Sequence, residues 1–197
     1  VTNLVNRPTS GRGRRRRDQL IEAGFTLLAE GGWPAVTTRA VAERAGTNVG
    51  LIHYHFGGLP GLHEAIARRA GDEIVGSVVD VLVEAPDPAA ALDTVRALVP
   101  ATTADGQRMR LAVEVMAGSL RDPVLGEVLR QELRRARERI GARLAELHPS
   151  WSPERRAGAA TVIVALVDGL LLHRLLDTAL PVDEALTALG DLLGDRP

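Results

Sequence analysis

The residues of this chain that could do chemistry fail most catalytic tests. His53 and His55 flank Tyr54, but an i, i+2 pair projects from different sides of a helix, and no carboxylate completes a metal site. His63-Glu64 opens like a zinc-protease motif, yet the residue four after His63 is Ala67. Ser77 and Ser119 each adjoin a glycine, and neither stands in G-x-S-x-G; no G-x-G-x-x-G occurs either. The 197-residue chain has no Cys, which excludes thiolate nucleophiles and thiolate metal sites. All 24 basic residues are Arg, which removes the P-loop lysine, Schiff-base lysines and the Ser-x-x-Lys nucleophile. The reading is no enzyme, no metal and no cofactor.

What remains is polyanion chemistry. Residues 1–17 carry six Arg, four of them consecutive as Arg14, Arg15, Arg16 and Arg17, and this arm is expected to be flexible. Net charge is −1, but residues 1–70 hold 10 Arg against 5 acids and residues 71–197 hold 14 against 20. A basic head on an acidic body points to a polyanion at one end only.

The elements that must position these groups follow from local signals. Leu20, Ile21, Gly24, Phe25 and Leu28 fall on one helical face, ended by Gly31-Gly32. Thr37 is an N-cap for a short helix over Arg39–Ala45, Gly46 permits a turn, and Asn48 caps a second short helix over Val49–Phe56. Val41, Ala42, Ala45 and Ile52 pack the pair together, so Thr38, Arg39, Thr47, Asn48, Gly50, Leu51, His53, Tyr54 and His55 are left facing outward. That is a helix-turn-helix whose second helix suits a major groove.

This stretch, from about Gln19 to Ile66, resembles the tetracycline-repressor (TetR) family of bacterial transcriptional regulators. The resemblance lies in Ala23-Gly24-Phe25, Glu30-Gly31-Gly32, Thr37-Thr38, Ala45-Gly46 and Tyr54-His55-Phe56. It implies a homodimer with one DNA-binding head per subunit, an inverted-repeat operator, and a helical body whose small-molecule effector releases the DNA. By position, Thr38, His53 and His55 would contact phosphates, Asn48, Val49 and Leu51 would face bases, and Gly50 would let the backbone approach DNA. Leu59 stands where the family often has a phosphate-contacting Lys; the helix N-terminus there and the Arg12–Arg17 arm are the expected substitutes.

The expected organisation is the arm over 1–17, a helix-turn-helix domain over 18–58 and a ligand-binding and dimerisation body over 59–197. No alternating strand pattern occurs, and about nine helices give an all-α fold, with starts at Pro60, Asp87-Pro88, Asp122-Pro123 and Ser152-Pro153. Arg130, Arg134, Arg135, Arg137, Arg139 and Arg143 read as a salt-bridged solvent face, with Arg134 and Glu138 suitably spaced. Val164, Val167, Leu171, Leu175, Leu186 and Leu189 form apolar stripes, and Asp168-Gly169-Leu170 resembles the family's dimer-forming helix. These residues with Gly169 are the expected dimer interface. Met109, Glu114, Met116 and Trp151 are the candidate ligand residues, for a hydrophobic or amphipathic effector in an aliphatic pocket. No signal peptide is visible and Asp168, His173 and Arg174 interrupt the most apolar stretch, so a soluble cytoplasmic repressor is expected. Two other classes stay open: a ligand-independent architectural or division-control DNA-binding protein, and a helical enzyme that keeps the head as a relic.

Overall fold

A computed structural model of the chain describes residues 11–194. Among the described residues there are nine long or short α-helical elements and no strand. The head comprises α1 (Gly11–Gly31), α2 (Thr38–Arg44) and α3 (Gly50–Phe56), with a single 3-10 turn at Trp33–Ala35 between the first two. The fourth helix, α4, runs as Leu59–Gly71, passes through a π-helical turn at Asp72–Gly76 and continues as Ser77–Glu84. Then come α5 (Pro88–Ala104), α6 (Gly106–Arg121), α7 (Pro123–Leu147), α8 (Pro153–Leu176) and α9 (Val182–Gly194).

Local chemistry accounts for most boundaries. Side chains of Thr37, Asp87, Asp105, Asp122 and Ser152 each accept a backbone N–H of the following first turn. Gly57 closes α3 in the left-handed conformation, with φ of 73°. Two boundaries depart from expectation. α5 runs on through Pro100, which has no backbone N–H to give the helix, to Ala104. The arginine run also does not precede α1 but forms its first turns. The expected flexible arm is corrected over 11–17, because Arg is a good helix former extending a helix already fixed by packing of Leu20, Ile21 and Ala23. Residues 1–10 of that arm, and 195–197, lie outside the described residues.

The head's core contains Leu20, Leu28, Val41, Ile52, Leu62 and Ile66, and it is completed by Leu111 and Val115 of α6. The first half of α4 and one face of α6 therefore belong to the head's packing as much as to the body's. Two further clusters hold the body: Val95, Val99, Val167, Val182 and Leu186 join α5, α8 and α9, while Val79, Ala136, Ile140 and Ala160 join α4, α7 and α8. By length and composition α8 could cross a membrane, but it packs on α7 and α5; only 11% of its most apolar window is buried, so much of an apolar helix is left bare.

The arginines of α7 are largely paired. Arg130 meets Glu127 at 2.8 Å, Arg135 meets Glu132 at 2.7 Å, Arg139 meets Asp80 at 2.7 Å and Arg143 meets Glu146 at 2.7 Å. The Arg134–Glu138 pair that spacing suggests is not among these bridges, which use i, i+3 and cross-helix carboxylates instead.

Candidate DNA-binding surface and body cavity

The head is held rigid behind its outer face. A fork of two bonds, 3.0 and 2.7 Å, joins the Arg44 guanidinium to Glu30, tying α2 to the end of α1 and holding the Glu30 carboxyl below its ordinary range. The first turn of α4 presses on the end of α3 so closely that a Cβ on Gly61 would lie 2.1 Å from the Phe56 carbonyl oxygen. No larger residue fits there, which fixes the angle of the recognition helix.

On that helix Asn48, Gly50, His53 and Tyr54 are exposed, with Tyr54 78% accessible. Asn48 Oδ1 accepts the Leu51 N–H at 3.3 Å, so its amide caps the helix while its NH2 group remains for other contacts. His55 is half-buried, edge-on to Tyr54. Val49 and Leu51, expected to face bases, are half-buried and pack against the head's core. Both are thus partly covered from within, because a short helix gives one stripe to its own core, and these two flank Ile52 on it. Thr38 is half-buried and Arg39 exposed at the start of α2.

The arginine turns of α1 stand beside this surface. The Arg17 guanidinium lies over the Phe56 ring, 5.2 Å from its centroid, linking α1 to the end of the recognition helix. Arg15 donates to the Gly11 carbonyl at 3.3 Å and Arg16 to Gln19 at 3.1 Å. Arg14 and Arg39 have no hydrogen bond or ion pair among the described residues, so their charge is uncompensated on this face.

The body contains an apolar cavity of about 140 Å³ bounded by α4, α5, α6, α7 and α8. Its walls include Ile74, Val78, Met109, Met116, Leu129, Leu171 and Leu175, and its charged groups are Arg108 and Asp168. Arg108 donates to the Glu73 carbonyl at 2.9 Å and to the Ser77 hydroxyl, so its guanidinium is anchored on the π-helical turn. Asp168 is solvent-accessible, yet desolvation by the surrounding protein raises its carboxyl above the ordinary aspartate range.

The family comparisons agree with both halves. Residues 20–66 match the bacterial regulatory proteins of the tetR family, and residues 88–196 match the C-terminal part of BetI-type transcriptional repressors. The chain belongs to the TetR family. Its body is of the BetI type, and the chain is a transcriptional regulator, not an enzyme. The HTH-type transcriptional regulator BetI of Burkholderia lata is 31% identical over 171 residues, covering 84% of this chain and 85% of that protein. Its counterpart in Burkholderia mallei is 32% identical over the same shares. Among solved structures, the Streptomyces coelicolor A3(2) protein SCO7518, assigned as a transcriptional regulator, is 30% identical with a TM-score of 0.74, over 88% of this chain and 95% of that one. The multidrug binding protein EbrR, complexed with imidazole, is 28% identical with a TM-score of 0.70, over 96% and 97%.

In this TetR-family body the candidate ligand residues separate. Met109 and Met116 line the cavity. Glu114 and Trp151 do not: the Glu114 carboxylate accepts the Trp33 backbone N–H at 3.3 Å, and Trp151 stacks on His148 with centroids 4.2 Å apart. Asp168 and Arg108, which sequence reasoning did not nominate as ligand residues, are the cavity's charged groups; a lone acid inside an apolar stripe was the available signal.

The candidate interface residues separate too. Val167 and Leu186 are buried in the subunit's own core, Val164 packs against the Ala136 and Ile140 cluster, and Leu171 and Leu175 face the cavity. Val167 and Leu186 are corrected as free interface residues, because the subunit's own core buries them, while Val164, Leu171 and Leu175 are half-buried. A Cβ on Gly169 would meet open space, and Leu189 is half-buried. The most exposed large apolar groups of α8 and α9 are instead Val162 (66% exposed), Leu176 (78%) and Leu192 (74%).

Proposed function

We propose that this chain is a ligand-responsive repressor that binds an inverted-repeat operator as a homodimer in the cytoplasm and is released by a small hydrophobic or amphipathic effector. The observation that carries the reading is one continuous connection. The exposed polar face of α3 is seated on a head whose Trp33 is gripped by α6, and the same helix supplies Met109 and Met116 to the cavity. A ligand that moved α6 would reset the head through that grip, and by linkage it would bind DNA-free protein more tightly.

The DNA-contacting set is Arg14, Arg15, Arg16, Arg17, Thr38, Arg39, Asn48, Gly50, His53, Tyr54 and His55, with Val49 and Leu51 supporting the helix from behind. The dimer forms through the bare side of α8 and α9, where Val162, Gly169, Leu176 and Leu192 lie uncovered. Two recognition helices would then enter major grooves about 34–36 Å apart, or a multiple of that. The ligand-bound EbrR structures support a small-molecule effector for a body of this shape.

The test is a footprint on DNA flanking the gene, over a salt series. A protected inverted repeat with steep salt dependence is the expected result. Salt-sensitive binding without a preferred site would favour an architectural role, and no binding at low salt would overturn the reading.

A further inference from the structure

Within the apolar cavity, the polar chemistry is unbalanced. Arg108 is committed to Glu73 and Ser77, and the Glu73 carboxylate lies 3.8 Å from its guanidinium, so that positive charge is locally matched. The Asp168 carboxylate has no hydrogen-bond or ion-pair partner among the described residues. It stands on α8 with Leu171, Leu172 and Leu175 at the wall of the cavity that Met109 and Met116 of α6 also line, and it is open to solvent. The carboxylate is solvent-accessible but partly desolvated by those walls, and a cation placed beside it at the cavity's edge offsets that loss.

We infer that the effector is a small protonated amine with an aliphatic body, whose N–H groups donate to Asp168 while its hydrocarbon fills the Met109–Met116 side of the cavity. This rests on the effector reading of the cavity and narrows it to one ligand class. Three observations set the class. An ionised carboxylate only accepts hydrogen bonds, so the ligand must donate them. No Trp, Tyr or Phe lines the cavity, so it lacks the aromatic cage through which quaternary ammonium groups are held. The volume, about 140 Å³, is close to the roughly 150 Å³ of an apolar cavity that accommodates benzene, so the body of the ligand is about six carbons. The raised Asp168 carboxyl agrees with this geometry, since desolvation is its cause and no fixed cation offsets it.

The experiment is calorimetric titration of the full chain with four probes of one chain length: hexylammonium, hexyltrimethylammonium, 1-hexanol and hexanoate. Hexylammonium is expected to bind about tenfold more tightly than each of the others. Asp168→Asn should remove that preference while leaving 1-hexanol affinity within about twofold. A preference for hexanoate, the alcohol or the quaternary ion would overturn the inference, as would wild-type affinity of the Asp168→Asn variant for hexylammonium. Binding of none of the four would overturn it as well. Operator binding, read by footprint without any probe, stands or falls separately, so failure here is distinguishable from failure of the repressor reading.

Discussion

Trp33 and Glu114 are 81 positions apart and hold each other twice: the Trp33 indole donates to the Glu114 carbonyl at 2.9 Å, and the Glu114 carboxylate accepts the Trp33 backbone N–H at 3.3 Å. Trp33 begins the turn between α1 and α2, whereas Glu114 is in the middle of α6. The indole also lies against α6 so closely that a Cβ on Gly118 would be 2.3 Å from its Nε1. At this junction a glycine-sized gap and two directed bonds are added to the apolar packing of Leu111 and Val115 on the head's core.

Gly118→Ala is expected to destabilise the chain by about 1–3 kcal/mol, the usual range for overpacking a fixed contact. Urea unfolding followed by tryptophan fluorescence checks it. Glu114→Ala should preserve Met109 and Met116 at the cavity wall while weakening the junction. The expected outcome is near-wild-type ligand affinity with a smaller ligand-induced loss of DNA binding, read by parallel calorimetry and DNA titration.

The arginine turns give a second prediction. Each phosphate contact contributes about 0.9 to the slope of log K against log salt for duplex DNA. Arg14→Ala with Arg15→Ala should therefore flatten the slope by up to about 2 while weakening all sequences alike. An unchanged slope in the salt titration would remove this part of α1 from the interface.

Recognition-helix residues should divide by burial. Tyr54 is 78% exposed, so Tyr54→Ala should alter DNA binding with a change in stability of about 0.5 kcal/mol or less. Leu51 packs on the head's core, so Leu51→Ala should lower the melting temperature and weaken DNA binding through the fold. Paired melting curves and operator titrations separate the two effects.

Asp168 gives a pH-dependent prediction. Its folded carboxyl titrates above the unfolded value, so the native state is favoured by protonation at low pH and loses that contribution as pH rises through the folded value. At neutral pH the protein carries an unfavourable charge, so Asp168→Asn should melt higher than wild type. The gap should narrow as pH falls toward the ordinary aspartate range, near about 3.9. Thermal melts between neutral and mildly acidic pH check the sign; a variant that melts lower at neutral pH would contradict it.

Legibility in the sequence followed the range of the forces involved. Thr37, Asp87, Asp122 and Ser152 act on backbone groups two or three positions away, so caps and helix starts could be read directly. Trp33–Glu114 could not, because no local pattern links residues 81 apart. Leu51 reads as fully outward because a seven-residue helix gives too few turns to locate its buried stripe. The arginine run reads as a flexible arm because its composition buries nothing, whereas helix propagation from Leu20 needs only propensity. On α8, apolar residues occupy nearly every face, so periodicity could not rank Val162 above Val167.

That distinction yields the last prediction. Val167 and Leu186 are buried among α5, α8 and α9, while Val162 and Leu176 project from the same α8 with no cover in the subunit. A charge on the first pair would be buried without a partner inside a core, which costs the fold itself. A charge on the second pair remains hydrated in the subunit and becomes costly only when a second copy covers it. Val162→Glu with Leu176→Glu is therefore expected to give a folded monomer by sedimentation, with unchanged helical circular dichroism and greatly weakened operator binding, since one head alone reads a single half-site. Leu186→Glu should instead lose helical signal and melt early. A Val162/Leu176 double variant that stays dimeric would move the interface off this face and leave the exposed leucines of α8 and α9 without the partner assigned to them.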